Sequence, residues 1–140
     1  MNENNKLYHE LMKAAIDARG RSYSPYSGFS VGAALLTKSG RIFTGANIEN
    51  SGYTATVCAE RIAFFRALSE GEREFSAIAI AGGAKEEPDS GVAPCGVCRQ
   101  VMSEFCDGNF KIILLDGGLT VLTLGELLPM RFDRSNLIKK

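Results

Sequence analysis

The chain has 140 residues, 45% of them hydrophobic, with four cysteines and one histidine. This length predicts a single domain, residues 1–140, that is large enough to bury a hydrophobic core. Sixteen basic residues balance sixteen acidic ones and form no basic stripe, which argues against a nucleic-acid polymer as partner because phosphate binding needs a basic surface.

The N-terminus and the cysteines indicate the compartment. Residues 1–6 are polar and acidic, and no apolar run reaches membrane-spanning length, so we expect a cytoplasmic protein with no membrane partner. In a reducing compartment, four unevenly spaced cysteines are interpreted as metal ligands and core residues. His9 is the only histidine, so we expect no serine–histidine or cysteine–histidine machinery and interpret His9 as a surface residue.

An amphipathic helix opens the chain. Leu7, Leu11 and Ala18, with Ala14 or Ala15 between them, recur at helical spacing, and the pattern ends near Gly20. A turn-rich loop with two tyrosines follows at residues 23–28. Residues 29–36 and 41–46 are rich in β-favouring side chains and flank a Thr-Lys-Ser-Gly turn, so they are predicted to pair as an antiparallel hairpin.

A polar pair follows the second strand of this hairpin. Asn47 and Glu49 are two residues apart and therefore face the same side of an extended chain. An amide beside a carboxylate suits the diol of a sugar. An Asx-type turn with a solvated carboxylate accounts for the same residues, and the sequence leaves both interpretations open.

The segment Cys58-Ala59-Glu60 begins the next predicted helix, Ala59–Ser69. That helix is apolar nearly all round, so we expect it to be buried on more than one side, against the sheet and against a second subunit. Arg61 is a charged residue on its first turn. If Cys58 binds a metal, the guanidinium can offset thiolate charge by hydrogen bonding to sulfur; a surface arginine in a salt bridge is the alternative.

A second cysteine segment, Pro94-Cys95-Gly96-Val97-Cys98, begins a helix predicted for residues 96–106. The i, i+3 spacing places both sulfurs on one helix face, and a helix N-terminus favours the thiolate form. Together with Cys58, these thiolates can hold one Zn²⁺ and leave a fourth tetrahedral position open, as catalytic zinc sites do. Glu60 then remains to move protons.

A closed four-cysteine site and a redox motif fit these cysteines less well. Cys106 could supply a fourth ligand, and a Cys-x-x-Cys pair alone is typical of redox proteins. In an unbroken helix, however, Cys106 lies about 12 Å along the axis from Cys98, too far to share one ion. We therefore interpret Cys106 as a core residue. A redox role would leave the segment Cys58-Ala-Glu without a function.

The remaining elements complete the predicted fold. Residues 75–81 are predicted to form a buried strand. Helix 59–69 connects this strand to the hairpin as a β-helix-β crossover, which implies a parallel pair of strands. A polar loop is expected at residues 82–93. A strand at residues 111–115, a short edge strand at 120–123 and a helical turn at 124–128 follow. Together, the predicted helices and strands indicate an α/β fold, a three-layer α/β/α sandwich with a mixed sheet of about five strands.

Four segments, in order, carry a family resemblance. They are Tyr-Ser-Pro-Tyr-Ser-Gly-Phe-Ser-Val-Gly-Ala-Ala-Leu-Leu at 23–36, Asn-Ile-Glu-Asn-Ser-Gly-Tyr at 47–53, Cys-Ala-Glu-Arg at 58–61 and Pro-Cys-Gly-Val-Cys-Arg-Gln at 94–100. Through them the chain resembles the small homotetrameric cytidine deaminases of pyrimidine salvage. The resemblance implies zinc-dependent hydrolysis of cytidine and deoxycytidine to uridine and deoxyuridine, with release of ammonia.

The resemblance also implies roles for single residues. One zinc ion per chain is held by Cys58, Cys95 and Cys98. Glu60 is the proton shuttle, and Arg61 tempers the charge of the thiolates. The residues that match substrate contacts to the ribose and the base are Phe29, Asn47, Glu49 and the backbone of Ala59. Phe132, flanked by Met-Arg instead of small residues, loosely matches an aromatic that a neighbouring subunit contributes.

Two further classes of function remain open. A deaminase of the same fold that acts on another aminopyrimidine, such as blasticidin S, would keep the zinc motifs but would not need the pair Asn47 and Glu49. The presence of the pair therefore favours a nucleoside. A non-catalytic zinc protein would have no use for Glu60 beside an open ligand position.

Overall fold

The computed structural model describes residues 3–84, 86–87 and 90–138. Their strands form one sheet with the order β2-β1-β3-β4-β5. The helices are α1 (Glu3–Ala18), α2 (Ala59–Ser69), α3 (Gly96–Phe105) and α4 (Leu124–Leu127), and the strands are β1 (Phe29–Thr37), β2 (Ile42–Ala46), β3 (Phe75–Ala84), β4 (Lys111–Leu115) and β5 (Leu119–Thr123). The predicted α/β class with a mixed five-stranded sheet is confirmed.

The sheet divides the core into two layers. Because side chains alternate across a strand, Ala33 and Leu35 of β1 face the core that contains α2 and α3, with Phe64 at its centre. Ala34 and Leu36 face the opposite core, which α1 covers through residues such as Leu11. Helices therefore cover both faces, as the sequence predicts.

Helix α1 packs closely on β1. Leu11, Ala15 and Ala18 are fully buried, and a Cβ added to Gly32 of β1 would lie 2.0 Å from the carbonyl oxygen of Ala15. The helix ends at Ala18 and a 3₁₀ turn, Arg19–Arg21, follows, close to the end expected at Gly20. His9 lies on the exposed side of the helix, as predicted.

The strand order differs from the expected crossover. Strand β1 pairs antiparallel with β2 on one side and with β3 on the other. Helix α2 thus joins β2 and β3, which run in the same direction but do not pair, since β1 lies between them. The parallel hydrogen-bonded pair is instead β3 with β4, with Ile78 opposite Ile112. Residue periodicity does not reveal which strands become neighbours.

Strand β3 is longer than predicted. It continues to Ala84, so residues 82–84, expected in a loop, extend the ladder until Ala84 lies opposite Phe29. Positions 85, 88 and 89 of the expected loop lie outside the described residues. Strand β5 lies at the edge of the sheet, as expected, and Thr123 and Glu126 form a capping box on the short helix α4. No helix in the described ranges is long and apolar enough to cross a membrane.

Candidate metal centre and active site

Two helix N-termini bring three cysteines together. Cys58 is the N-cap residue of α2 and Cys95 is the N-cap residue of α3. The sulfur of Cys95 accepts a hydrogen bond from the backbone N–H of Cys98, one turn into α3, at 3.4 Å. The predicted helix starts are confirmed, and each cysteine segment lies at the partially positive end of its helix.

The spacing of the sulfurs fits zinc. The Sγ of Cys95 lies 3.7 Å from that of Cys58 and 3.4 Å from that of Cys98, and all three sulfurs lie within 4.8 Å of one another. Thiolates that bind one tetrahedral zinc ion at about 2.3 Å are separated by about 3.8 Å. Among the described residues, this is the group of His, Cys, Asp or Glu that could hold a metal.

Cys106 lies away from this cluster. It follows the last residue of α3 as its C-cap, and its half-buried side chain packs against the core between the sheet and α2. Burial raises the pKa of the Cys106 thiol to about 12, so this thiol stays protonated near neutrality. The position agrees with the interpretation of Cys106 as a core residue.

The cysteine cluster has a cation on one side. The Nη2 of Arg61 donates a hydrogen bond to the Sγ of Cys58 at 3.6 Å. The pKa of Cys58 is lowered to about 5, first by a hydrogen bond from the Cys98 thiol and then by Arg61. The pKa of Cys98 is raised, first because of that same hydrogen bond to Cys58. Arg61 therefore stabilises negative charge on sulfur and forms no ion pair with a described carboxylate, which disfavours the salt-bridge alternative.

Glu60 is buried beside the cluster. Its side chain is 3% exposed, and desolvation raises the pKa of its carboxyl to about 7. A carboxyl group with a pKa near the working pH can both accept and release a proton. Three thiols that could hold a metal ion therefore lie next to one carboxyl group that can carry a proton.

The segment that contains Asn47 and Glu49 runs beside the cluster. Ile48 and Val57 exchange two backbone hydrogen bonds of 2.9 Å, and Val57 directly precedes Cys58 in the chain. On its other side, the segment pairs with Tyr23. The three predicted parts, the loop at 23–28, the polar pair and the first zinc ligand, are therefore neighbours in space.

Most of the hydrogen-bonding groups of the Asn47 side chain are paired within the protein. Its Oδ1 accepts hydrogen bonds from the N–H of Val31 at 2.9 Å and from the hydroxyl of Ser22 at 2.5 Å. Its Nδ2 donates to the carbonyl of Phe29 at 2.9 Å. An amide offers two donors and two acceptor sites, so one N–H of Asn47 remains for a ligand.

Glu49 holds the turn-rich loop. Its Oε1 accepts hydrogen bonds from the backbone N–H groups of Tyr26 at 3.0 Å and Ser27 at 3.1 Å, and its Oε2 accepts one from the hydroxyl of Ser27. These bonds, the Ser27 hydroxyl first, lower the pKa of Glu49. A carboxylate has about four acceptor sites, so one remains for a ligand.

The remaining predicted contacts occupy different positions. Ala59 is the first residue of α2 and is fully buried. Phe29 begins β1 with 37% of its surface exposed, so its ring remains open to a ligand. Phe132 lies in the C-terminal segment, 58% exposed, where the side chain of Gln100 on α3 donates to its carbonyl at 2.8 Å.

The family comparison covers the cysteine cluster, Glu60 and the polar pair Asn47 and Glu49. The model of the cytidine and deoxycytidylate deaminase zinc-binding region matches residues 5–114, a span that includes all three cysteines and Glu60. The chain belongs to this deaminase family.

Individual relatives extend the comparison. A cytidine deaminase from Halalkalibacterium halodurans is 49% identical over 129 residues, which cover 91% of this chain and 95% of the relative. The crystal structure of a cytidine deaminase from Burkholderia pseudomallei matches with a TM-score of 0.82 and 43% identity, over 94% of this chain and 100% of that chain. A blasticidin-S deaminase from Bacillus cereus is 38% identical over 109 residues, 75% of this chain and 78% of the relative.

Sequence reasoning missed two residues that support the deaminase site. Arg99 donates from Nε to the carbonyl of Pro94 and from Nη1 to that of Leu127, both at 2.7 Å, which fixes the entry into α3. Ser27 binds Glu49 through its hydroxyl and its backbone N–H. Arg99 adjoins Cys98, which could have signalled a supporting role, whereas nothing local indicates that Ser27 contacts a residue 22 positions away.

Proposed function

We propose that this chain is a zinc-dependent hydrolytic deaminase that converts cytidine and deoxycytidine to uridine and deoxyuridine and releases ammonia. One observation carries the proposal. Three thiols at two helix N-termini, with sulfur–sulfur distances of 3.4 and 3.7 Å, adjoin a buried carboxyl group instead of a fourth cysteine. A closed structural zinc site needs four protein ligands. The relatives named cytidine deaminase support the substrate.

The zinc ligands are Cys58, Cys95 and Cys98, with one ion per chain. Bound zinc supplies Lewis acidity, which makes water acidic enough to lose a proton near neutral pH. Arg61 hydrogen bonds to the sulfur of Cys58 and thereby limits how much negative charge the thiolates place on the metal.

Glu60 carries the protons of the reaction. Its carboxylate accepts a proton from the water whose oxygen adds to C4 of the cytosine ring, and it delivers this proton to ring N3. A second proton from the same oxygen passes through Glu60 to the amine on C4. The C4–N bond then breaks, ammonia leaves, and the C4 carbonyl of uridine remains. One water is consumed, and Glu60 is ionised again.

Asn47 and Glu49 bind the sugar. After their internal hydrogen bonds, Asn47 retains one N–H and Glu49 retains one acceptor site. A single hydroxyl group can accept from the first and donate to the second. The ring of Phe29 packs against the base, and the backbone of Ala59 contacts the base carbonyl. The structural and the sugar-binding interpretations of the polar pair are therefore compatible.

A side-by-side assay tests this function against its alternative. The zinc-loaded protein is incubated with cytidine, deoxycytidine and blasticidin S, and ammonia is measured with and without a chelator. We expect turnover of both nucleosides, abolished by zinc removal. Faster turnover of blasticidin S than of the nucleosides would favour a blasticidin-S deaminase. We do not expect this outcome, because the match to a blasticidin-S deaminase has 38% identity and the match to a cytidine deaminase has 49%. Zinc binding without any turnover would indicate a binding protein.

The proposed function extends to the assembly of the protein and to its place in the cell. Association of subunits is supported by exposed apolar side chains, including Phe65 of α2 at 47% exposure, and the family resemblance implies a homotetramer. In such an assembly Phe132 contributes to the site of a neighbouring subunit. A cytoplasmic location suits thiols that must stay reduced, since all four cysteines are free. The products fit a role in pyrimidine salvage.

A further inference from the structure

In the loop at residues 23–28, the hydroxyl group of Ser27 links Glu49 to the start of β1. The hydroxyl of Ser27 donates a hydrogen bond to Oε2 of Glu49, and the Oγ of Ser27 in turn accepts one from the backbone N–H of Phe29 at 3.0 Å. Gly28 between them has a φ of +68°, a conformation that glycine adopts without strain. Ser27 is thus the side chain that contacts both a proposed sugar ligand and the backbone of a proposed base contact.

We propose that Ser27 is a positioning residue for the substrate: its hydroxyl group joins Glu49 to the backbone of Phe29 and sets the distance between the group that binds the sugar and the ring that packs against the base. This inference rests on the proposed function. Glu49 is half-buried and lines a cavity of about 300 Å³ with Tyr26, Ser27, Asn50, Tyr53 and Thr56. Without the Ser27 hydroxyl group, Oε1 keeps its two backbone bonds, but Oε2 loses its partner and the carboxylate is free to rotate into this space.

The effect should fall on substrate binding more than on chemistry. Ser27 contacts neither the cysteine cluster nor Glu60, so its removal leaves the proton transfers intact. An interaction made equally in the bound substrate and in the transition state changes KM and leaves kcat unchanged. Loss of the hydroxyl group should therefore raise KM for cytidine by roughly 10- to 100-fold, the range for a hydrogen bond to a charged group, with kcat within about twofold of wild type.

The test compares three variants of the zinc-loaded enzyme. Ser27→Ala removes the hydroxyl group and Ser27→Thr keeps it. Ser39→Ala is the matched control, because the Ser39 hydroxyl also donates to a carboxylate, Glu72, at 3.0 Å, in the exposed turn between β1 and β2. For each variant, kcat and KM for cytidine are measured, together with the pKa of Glu49 by ¹³C NMR titration and the melting temperature.

We expect Ser27→Ala to raise both KM and the pKa of Glu49, Ser27→Thr to restore both, and Ser39→Ala to change neither. In Ser27→Ala, a raised Glu49 pKa with an unchanged KM would overturn the positioning role. So would an unchanged Glu49 pKa, or a change in kcat as large as the change in KM. Absence of cytidine turnover in the wild type would refute the proposed function instead, and the NMR titration would still decide whether Ser27 holds Glu49.

Discussion

Asn47 illustrates, at the scale of single residues, how one side chain can stabilise the fold and still offer a hydrogen bond to a ligand. It joins the end of β2 to the start of β1 by hydrogen bonds to the backbone of Val31 and Phe29, and it keeps one N–H for a ligand. In the sequence, the Asx-turn and sugar-binding interpretations are equally compatible with its position. The partners that reconcile them are 16 and 18 residues away, which no local pattern reveals.

Substituting Asn47 should therefore cost stability as well as activity. Asn47→Ala leaves the N–H of Val31 and the carbonyl of Phe29 without their partners, so we expect the free energy of unfolding to fall by roughly 1 to 3 kcal/mol. Denaturant titration measures this change. Asn50→Ala is the control, since the Asn50 side chain accepts only a local hydrogen bond from the N–H of Gly52. Equal losses in both variants would show that Asn47 has no special structural role.

The cysteines allow a second test at this scale. We expect Cys106→Ser to keep one zinc per chain, because Cys106 lies at the opposite end of α3 from Cys95. Cys95→Ser should lose the zinc, because it removes one of three ligands and no described side chain replaces it. Metal analysis after dialysis measures both. Loss of zinc from the Cys106→Ser variant would show that the ligand set is wrong.

Helix α2 is the element on which the site depends most. It begins with Cys58, Ala59 and Glu60, and it packs against β2 so closely that a Cβ added to Gly45 would lie 2.4 Å from the carbonyl oxygen of Ala59 and 2.7 Å from the nitrogen of Ala63. Such contacts with backbone atoms cannot be relieved without moving the helix. The absence of a side chain at Gly45 therefore lets the first turn of α2, and with it the proposed zinc ligand Cys58, lie close to β2.

The corresponding prediction concerns Gly45→Ala. Displacement of the first turn of α2 should lower the free energy of unfolding by roughly 1 to 3 kcal/mol and weaken zinc binding, measured by denaturant titration and by competition with a chelator. Gly118→Ala is the matched control, because a Cβ there meets nothing within 4 Å. Unchanged zinc affinity in Gly45→Ala would show that α2 adapts without moving Cys58.

The elements also show what the sequence can and cannot predict. Helical starts at Cys58 and Cys95 follow from local chemistry, so their positions and the cysteine cluster are predicted correctly. The hairpin and the edge strand β5 follow from alternation and turn residues. The placement of β1 between β2 and β3, and the extension of β3 to Ala84, depend on pairing between distant segments, which residue order alone does not encode.

At the scale of the whole molecule, several apolar side chains lie exposed on the surface of α2, α3 and the C-terminal segment. The side chains of Phe65 on α2 and Val97 on α3 are 47% and 58% exposed, and Phe132 is exposed beside α3. The sequence predicts that α2 is buried on more than one side; within one chain its Ala63, Phe64 and Ala67 are buried but Phe65 is not. A second subunit would cover this side chain.

The exposed Phe65 predicts association, and the family resemblance implies a tetramer, which sedimentation experiments would detect. We expect Phe65→Asp to lower the association state while the subunit stays folded, because a charge on this surface opposes its burial. Lys13→Asp is the control, a charge change at an exposed position of α1 on the other face of the sheet. A wild-type protein that is monomeric and active at assay concentration would refute the assembly.

The most direct test of the whole account is the Glu60→Gln variant. Glutamine keeps the size of the side chain but cannot accept or return a proton, and one general acid-base group commonly contributes about 10² to 10⁴ in rate. Since Glu60 serves several proton transfers in the proposed mechanism, we expect deamination of cytidine to fall by at least this factor while zinc stays at one per chain. Substantial remaining activity would show that another group carries the proton, and loss of the zinc would make Glu60 a ligand; either result would contradict the mechanism proposed for this deaminase.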